Sequence, residues 1–314
     1  MIFDHNDKRP PIVVLCGPTA AGKTALAVRL AGELPVEVVS ADSRQVYRHM
    51  DIGTAKPTSE ELAAVPHHLI DVVDPDENFT AGNFCRLGRQ ALNDILGRNR
   101  LPIVVGGTGL YIQALLHGLI DVPDGDSELR ATLLRAEQLH GEGTLYQRLQ
   151  IVDPVLAKRL PPNDLVRIVR GLEVYELCNR RLSDLQAEHA GQKSPYRVLT
   201  LGLTMSREAL YERINHRVWR MLEDGLAQEV EFLLKRGYAA ECKAMQTIGY
   251  RELVQHVLGN LSMDEAVRLI QRDTRRYAKR QLTWFNKVNS IIWLDSFGEF
   301  AKVLKLIDSF IYAA

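Results

Sequence analysis

An α/β fold, a P-loop-containing parallel sheet flanked by helices with an all-helical insertion, is what this 314-residue sequence predicts, on three observations. Short β-branched apolar runs alternate with helical patterns, as in parallel sheets covered on both faces. The segment Gly17-Pro18-Thr19-Ala20-Ala21-Gly22-Lys23-Thr24 matches the phosphate-binding pattern G-x-x-x-x-G-K-[ST]. Residues 121–199 then break the alternation with helical periodicity, frequent charges and punctuation at Pro123, Pro154, Pro161 and Pro195. The expected division is a core of residues 1–120 and 200–314 and a helical insertion of residues 121–199.

The first expected strand, Ile12 to Cys16, leads into the phosphate motif, and a helical pattern follows from Ala25 to Leu34. Further strands are expected at Val36 to Val39, Pro102 to Val105, Val198 to Leu203 and Ile291 to Leu294. Ser206 opens a helix with Glu208 in its first turn. Along it Arg213, Arg217 and Arg220 form a stripe beside the apolar line of Leu210, Ile214, Val218 and Met221, from which an arginine can reach inward. Ser262 and Glu265 form a capping box for another helix. Its Arg268, Arg272, Arg275, Arg276 and Lys279 share a face, opposite Val267, Ile270, Tyr277, Ala278 and Phe285, and Asp273 is the one acid between Arg268 and Lys287.

Composition narrows the class. Apolar residues make up 46% of the chain, and 39 Lys plus Arg balance 39 Asp plus Glu, which excludes a polybasic tail protein and a disordered acidic one. Any basic surface must be local. The cysteines at 16, 85, 178 and 242 form no CxxC and no zinc spacing, so reduced thiols in a cytosolic protein are expected. The charged opening MIFDHNDKRP reads as neither signal nor transit peptide. Leu101 to Ile120 lacks charge, but Pro102, Gly106, Gly107, Gly109, Gln113 and His117 interrupt it, so no membrane span is expected.

In the phosphate motif, backbone N–H groups converge on an anion at the positive end of a helix, Lys23 adds a point charge and the Thr24 hydroxyl can hold Mg²⁺. A di- or triphosphate is the implied ligand. The third strand ends in Gly106-Gly107-Thr108-Gly109 and lacks the aspartate that holds Mg²⁺ in ATPases and GTPases, so ordinary nucleotide hydrolysis is poorly supported. Asp42, in Ser40-Ala-Asp-Ser-Arg-Gln-Val-Tyr47, should stand at the carboxyl edge where open α/β sheets bind ligands. Residue types alone favour an N-cap or turn aspartate over a site carboxylate. His67, His68, Asp71 and Asp74 read as turn and packing residues.

GPTAAGKT, SADSRQVYRHMDIGTAKP (Ser40 to Pro57), HHLIDVVDP (His67 to Pro75), PIVVGGTGLY (Pro102 to Tyr111) and RRYAKRQLTWF (Arg275 to Phe285) together resemble the tRNA dimethylallyltransferase family, in order over nearly the whole chain. Ala21 stands where Ser or Val is common, and Phe79 to Phe84 is a loose version of the family's Tyr-Ser-Ala-x-x-Phe. The resemblance implies transfer of a dimethylallyl group from dimethylallyl diphosphate to N6 of the adenosine 3′-adjacent to the anticodon, with Mg²⁺. It implies a P-loop holding a diphosphate leaving group, with Lys23, Thr24 and Arg217 stabilising its charge and Asp42 serving the acceptor. For Arg213 and Arg220 a solvated or salt-bridged face is the expectation.

For tRNA, the resemblance implies contacts from Asp42, Ser43, Arg44 and Gln45, with Thr108 and Arg130. In the insertion it implies Val166, Arg167, Ile168, Val169 and Arg170. Towards the C-terminus it implies Thr247, Ile248, Gly249, Tyr250 and Arg251, then Lys279, Arg280, Gln281, Thr283 and Trp284 on the anticodon stem-loop. The implied protein is a cytoplasmic monomer without membrane attachment. Two other readings stay open on residues alone. A P-loop kinase would share the loop and use the insertion as a lid, and a noncatalytic RNA-binding module would use the basic helix.

Overall fold

A computed structural model describes residues 7–295 and 299–312. The first half runs β1 (Pro11–Cys16), α1 (Lys23–Ala31), β2 (Val36–Ser40), α2 (Ser59–Ala64), β3 (His67–His68), α3 (Ala81–Gly97), β4 (Leu101–Gly106) and α4 (Gly109–His117). Five helices follow: α5 (Ser127–His140), α6 (Thr144–Val152), α7 (Pro154–Ala157), α8 (Leu165–Cys178) and α9 (Leu182–His189). The chain then continues through β5 (Arg197–Thr204), α10 (Arg207–Glu223), α11 (Leu226–Lys235), α12 (Tyr250–Val257), α13 (Met263–Phe285), β6 (Ile292–Asp295) and α14 (Phe300–Ile311).

The strands form one parallel sheet in the order β3-β2-β4-β1-β5-β6. Alternation along β1 explains its unbroken apolar sequence. Ile12, Val14 and Cys16 enter the core under α3, α4, α12 and α13, while Val13 and Leu15 enter the opposite core under α1 and α14. The five expected strands are present, and β3 is an addition. Its two residues were expected as turn and packing residues, but they pair with Val38 and Val39 at the sheet edge, too short a run to carry a periodic signal.

Two compact units emerge from the chain, one of residues 1–117 with 194–314 and one of residues 118–193. The second has its own core, built on Leu133, Leu149, Ile168 and Leu172. Ser206 caps α10 by accepting from the Ala209 amide, as expected. Ser262 likewise caps α13, but Glu265 turns to Arg268, so the reciprocal half of the expected capping box gives way to a charge-assisted pair. Among the described residues the four cysteines are free, and no helix is long and apolar enough to cross a membrane.

Candidate active site

Register places three loops side by side. Cys16 pairs with Gly106 and Ser40 with Val105, so the chain leaves β1, β4 and β2 at one sheet edge, with the β4 exit in the middle. After β1, Ala20 (φ 65°) and Gly22 (φ 90°) curl the loop into the start of α1, which no side chain caps. The first-turn N–H groups of such a helix have no intrahelical partners and favour an anion. Lys23 folds back over the loop, its Nζ donating to the carbonyls of Gly17 (3.1 Å) and Pro18 (2.7 Å). Burial pulls its ammonium down to about 8, opposed by the charge of Asp42 and reinforced by that of Arg217.

After β2, Asp42 Oδ1 accepts from the amides of Arg44 (2.8 Å) and Gln45 (3.4 Å). Residue types favoured a turn aspartate, and Asp42 does close that turn; the turn also lies on the same cavity as the phosphate loop. The Ser43 amide donates to Thr108 Oγ1 (3.2 Å), and the Thr108 amide to the Ala41 carbonyl (3.3 Å), stitching this loop to the one after β4. Tyr277, expected on the apolar face of α13, instead lines the cavity, hydrogen-bonded to Thr108. Burial pushes its phenol up to about 12, with the nearby Asp42 charge adding to the effect, so it is neutral at physiological pH.

The cavity measures about 890 Å³. Lys23 and Thr24 line one part, Asp42 and Tyr277 another, and Arg213, His216, Arg217 and Arg220 of α10 a third. Burial lowers the pKa of Arg217, and the neighbouring charge of Arg213 acts in the same direction. Arg213 and Arg220, expected on a solvated or salt-bridged face, border the cavity with it, because their spacing of four and three residues keeps all three on one side of α10. Lys23, Lys56 and the three arginines share the lining with Asp42, Asp51, Glu61, Asp71 and Asp224; Lys56 is paired with Asp51 and Asp71, and Lys23 with the α10 arginines can take an anionic ligand. Thr24 supplies a hydroxyl, and among the described residues no cluster of three or more His, Cys, Asp or Glu could hold a metal. A divalent ion fits here only if the ligand's own phosphate oxygens complete its shell.

The remaining expected contact residues fall in several environments. Arg44 is partly buried, and Gln45 is committed internally, its amide donating to the carbonyls of Thr54 and Ala55 and its oxygen accepting from Ser40. Gln281 is 6% exposed; it accepts from the Thr19 amide (2.8 Å) and donates to the Gly107 carbonyl (3.0 Å), clamping the phosphate loop to the β4 loop. Lys279, Arg280, Thr283 and Trp284 are exposed. Gly249 holds φ 97° ahead of α12, Ile248 packs on the core, Thr247 is partly buried and Tyr250 is fully buried. Within α8, Val166 and Arg167 face outward, whereas the side chains of Ile168 and Val169 are buried in the helical unit's own core, because helical periodicity turns them inward. Arg130 and Arg170 both hold the buried carboxylate of Glu173.

The basic face of α13 is less bare than its sequence suggests. Asp273 pairs with Arg251, Arg272 and Arg276, Glu265 holds Arg268, and Arg275 donates to Asn215. Sequence reasoning also missed Lys56, whose Nζ binds Asp51 (2.6 Å), Asp71 (2.5 Å) and the Tyr47 carbonyl (2.7 Å) on the cavity wall. No spacing rule could have brought those residues together.

A family model described as IPP transferase matches residues 45–288. The tRNA dimethylallyltransferase 1 of Pelobacter propionicus is 54% identical over 296 residues, covering 94% of this chain and 96% of that protein. A full-length tRNA isopentenylpyrophosphate transferase from Bacillus halodurans is similar in structure at a TM-score of 0.70 and 42% identity, covering 97% of this chain and 96% of its own. A eukaryotic dimethylallyltransferase acting on tRNA superposes at a TM-score of 0.83 and 27% identity, over 96% of this chain and 79% of that one. The matched span holds the 42–45 turn from Gln45 onward, the β4 loop, the α10 arginines and α13, and the chain belongs to the IPP transferase family.

Proposed function

We propose that this protein is a tRNA dimethylallyltransferase, which moves a dimethylallyl group from dimethylallyl diphosphate to N6 of the adenosine 3′-adjacent to the anticodon and releases pyrophosphate. The observation that carries the reading is one cavity lined at once by an uncapped phosphate loop, an arginine wall and Asp42, beside a β4 exit with no acid. Breaking the allylic C–O bond puts negative charge on pyrophosphate, where fixed amides, Lys23 and Arg217 stabilise it most. The Thr24 hydroxyl would hold Mg²⁺, which when bound would supply neutralisation of part of that charge.

The adenine N6 lone pair is delocalised into the ring, so the acceptor needs positioning and loss of a proton. Attack makes N6 cationic and acidic, and Asp42 then takes the proton with favourable driving force. A base stacked in an anticodon loop cannot present N6 to such a cavity, so it enters flipped, at low cost from a single-stranded loop. Ser43, Arg44 and Thr108 border its path, Gln45 and Gln281 hold the loops that shape it, and Arg251, Lys279, Arg280, Thr283 and Trp284 meet the stem-loop. In the insertion Arg130, Val166, Arg167 and Arg170 reach the same RNA. The protein works as a monomer in the cytoplasm.

Incubation with tRNA, Mg²⁺ and either labelled dimethylallyl diphosphate or γ-labelled ATP tests the reading. Label on tRNA from the first donor alone supports it. Phosphate transfer from ATP would replace it with the kinase reading, and retention of tRNA without product with the noncatalytic one.

A further inference from the structure

We infer that Glu229 is a positioning residue for transfer, acting through the Asp51 to Thr54 turn that forms one wall of the cavity. Glu229 lies in the first turn of α11, and its two oxygens receive four donors. Oε2 accepts from the amides of Asp51 and Ile52, both at 2.8 Å. Oε1 accepts from the Gly53 amide at 3.2 Å and from the Tyr250 hydroxyl at 2.5 Å. Four donors are what a carboxylate can accept, and an acceptor-only group is the one chemistry that satisfies all of them.

The turn has little freedom to relax around that anchor. A Cβ on Gly53 would stand 2.5 Å from Cε2 of the Tyr250 ring, so turn and ring are in direct contact there. Thr54 and Ala55, next along the chain, offer their carbonyls to the Gln45 side-chain amide at 3.4 and 3.0 Å. Gln45 in turn donates its backbone N–H to Asp42 Oδ1 at 3.4 Å and accepts from Ser40 Oγ at 2.9 Å. A path of hydrogen bonds and intervening covalent backbone thus runs from Glu229 through the turn and Gln45 to the carboxylate assigned to the acceptor. Glu229 itself does not line the cavity, so its influence travels by position alone.

The inference rests on the proposed transfer reaction, and single-turnover transfer with saturating dimethylallyl diphosphate and tRNA tests the two separately. A parental chain that moves no label fails the function. With an active parent, Glu229→Ala lowers the single-turnover rate by about 10- to 100-fold, the scale of a misplaced reacting group, while tRNA affinity stays within about twofold. Glu229→Gln keeps an oxygen for the Asp51 and Ile52 amides, and its NH₂ can donate to the Tyr250 hydroxyl but meets the Gly53 N–H donor to donor, so its rate recovers part-way, to within about fivefold of the parent. Tyr250→Phe removes one donor and loses about two- to fivefold. All rates are read well below each variant's melting temperature, per folded molecule. Parental rates in Glu229→Ala, or a Glu229→Gln rate as low as that of alanine, would overturn the inference. If alanine fails to fold, the glutamine and phenylalanine variants decide alone: a glutamine rate more than tenfold down, or an unchanged phenylalanine rate, counts against it.

Discussion

Raising the pH from 7 to 9 should weaken pyrophosphate binding through Lys23. The ammonium lies near 8 in the free fold against an ordinary value of 10.5, so roughly 90% of molecules carry its charge at pH 7 and roughly 10% at pH 9. Only the charged form suits an anion, so the apparent dissociation constant rises about tenfold across that interval, and binding at pH 8 takes up about half a proton. The sign for stability runs the other way. The folded pKa is below the unfolded one, so the unfolded chain binds more protons between the two. The penalty of burying the ammonium, on the order of 3 kcal/mol, is fully present below pH 8 and disappears as pH rises towards 10.5. Calorimetric titration of inorganic pyrophosphate in two buffers of different ionisation enthalpy reads the proton count directly. Lys23→Met, which should bind about 10- to 100-fold more weakly at pH 7, subtracts the ligand's own titration. Parental protein and Lys23→Met giving the same pH profile would refute the reasoning.

Asp42→Ala should slow transfer severely yet leave tRNA affinity within a few fold, measured by single-turnover assay and filter binding; near-normal turnover removes Asp42 from the mechanism. The logarithm of tRNA affinity should fall linearly with that of salt concentration. Lys279→Ala should flatten the slope by about one unit and Arg268→Ala by less, because Glu265 already neutralises Arg268; a salt-insensitive affinity would contradict phosphate contact. In the helical unit, Asp153 is fully buried and accepts from the amides of Leu156 and Ser183, both at 2.9 Å. Asp153→Ala should therefore lower stability by about 2–4 kcal/mol in urea titration, while an unchanged midpoint would mean those amides find other partners.

What could be read in the sequence follows from how far each signal reaches along the chain. The phosphate loop is contiguous, so its residues and its strand-to-helix setting were visible at once. The α10 stripe was visible by periodicity, though only the fold turns Arg213 and Arg220 to the cavity with Arg217. Tyr277 was misplaced because a tyrosine has an apolar body and a polar tip, and helical spacing locates the body alone. Glu229 and Lys56 were invisible for another reason. Their partners lie far away in sequence, and no pattern in one chain announces which amides a distant carboxylate will meet.

Packing also explains why the β4 exit carries no acid. A Cβ on Gly106 would stand 2.1 Å from the Ala41 carbonyl oxygen, and one on Gly107 would meet the Gln281 amide at 2.1 Å. No aspartate can occupy either place while the β2 and β4 loops stay stitched together and Gln281 clamps the phosphate loop. The closeness that sets Asp42 against the cavity therefore keeps a carboxylate out of these two β4 positions. Residues 17–24, 41–45 and 106–109 contain Asp42 as their one acid, and Asp51, Glu61, Asp71 and Asp224 line the same cavity from other segments. The strand ends of β1 and β2 are two spacings apart, about 10 Å, with the glycine-lined exit of β4 between them. Gln281 bridges the phosphate loop to the β4 loop and Thr108 bridges the β4 loop to the Asp42 turn, so side-chain hydrogen bonds across the middle exit fix the spacing of the outer two.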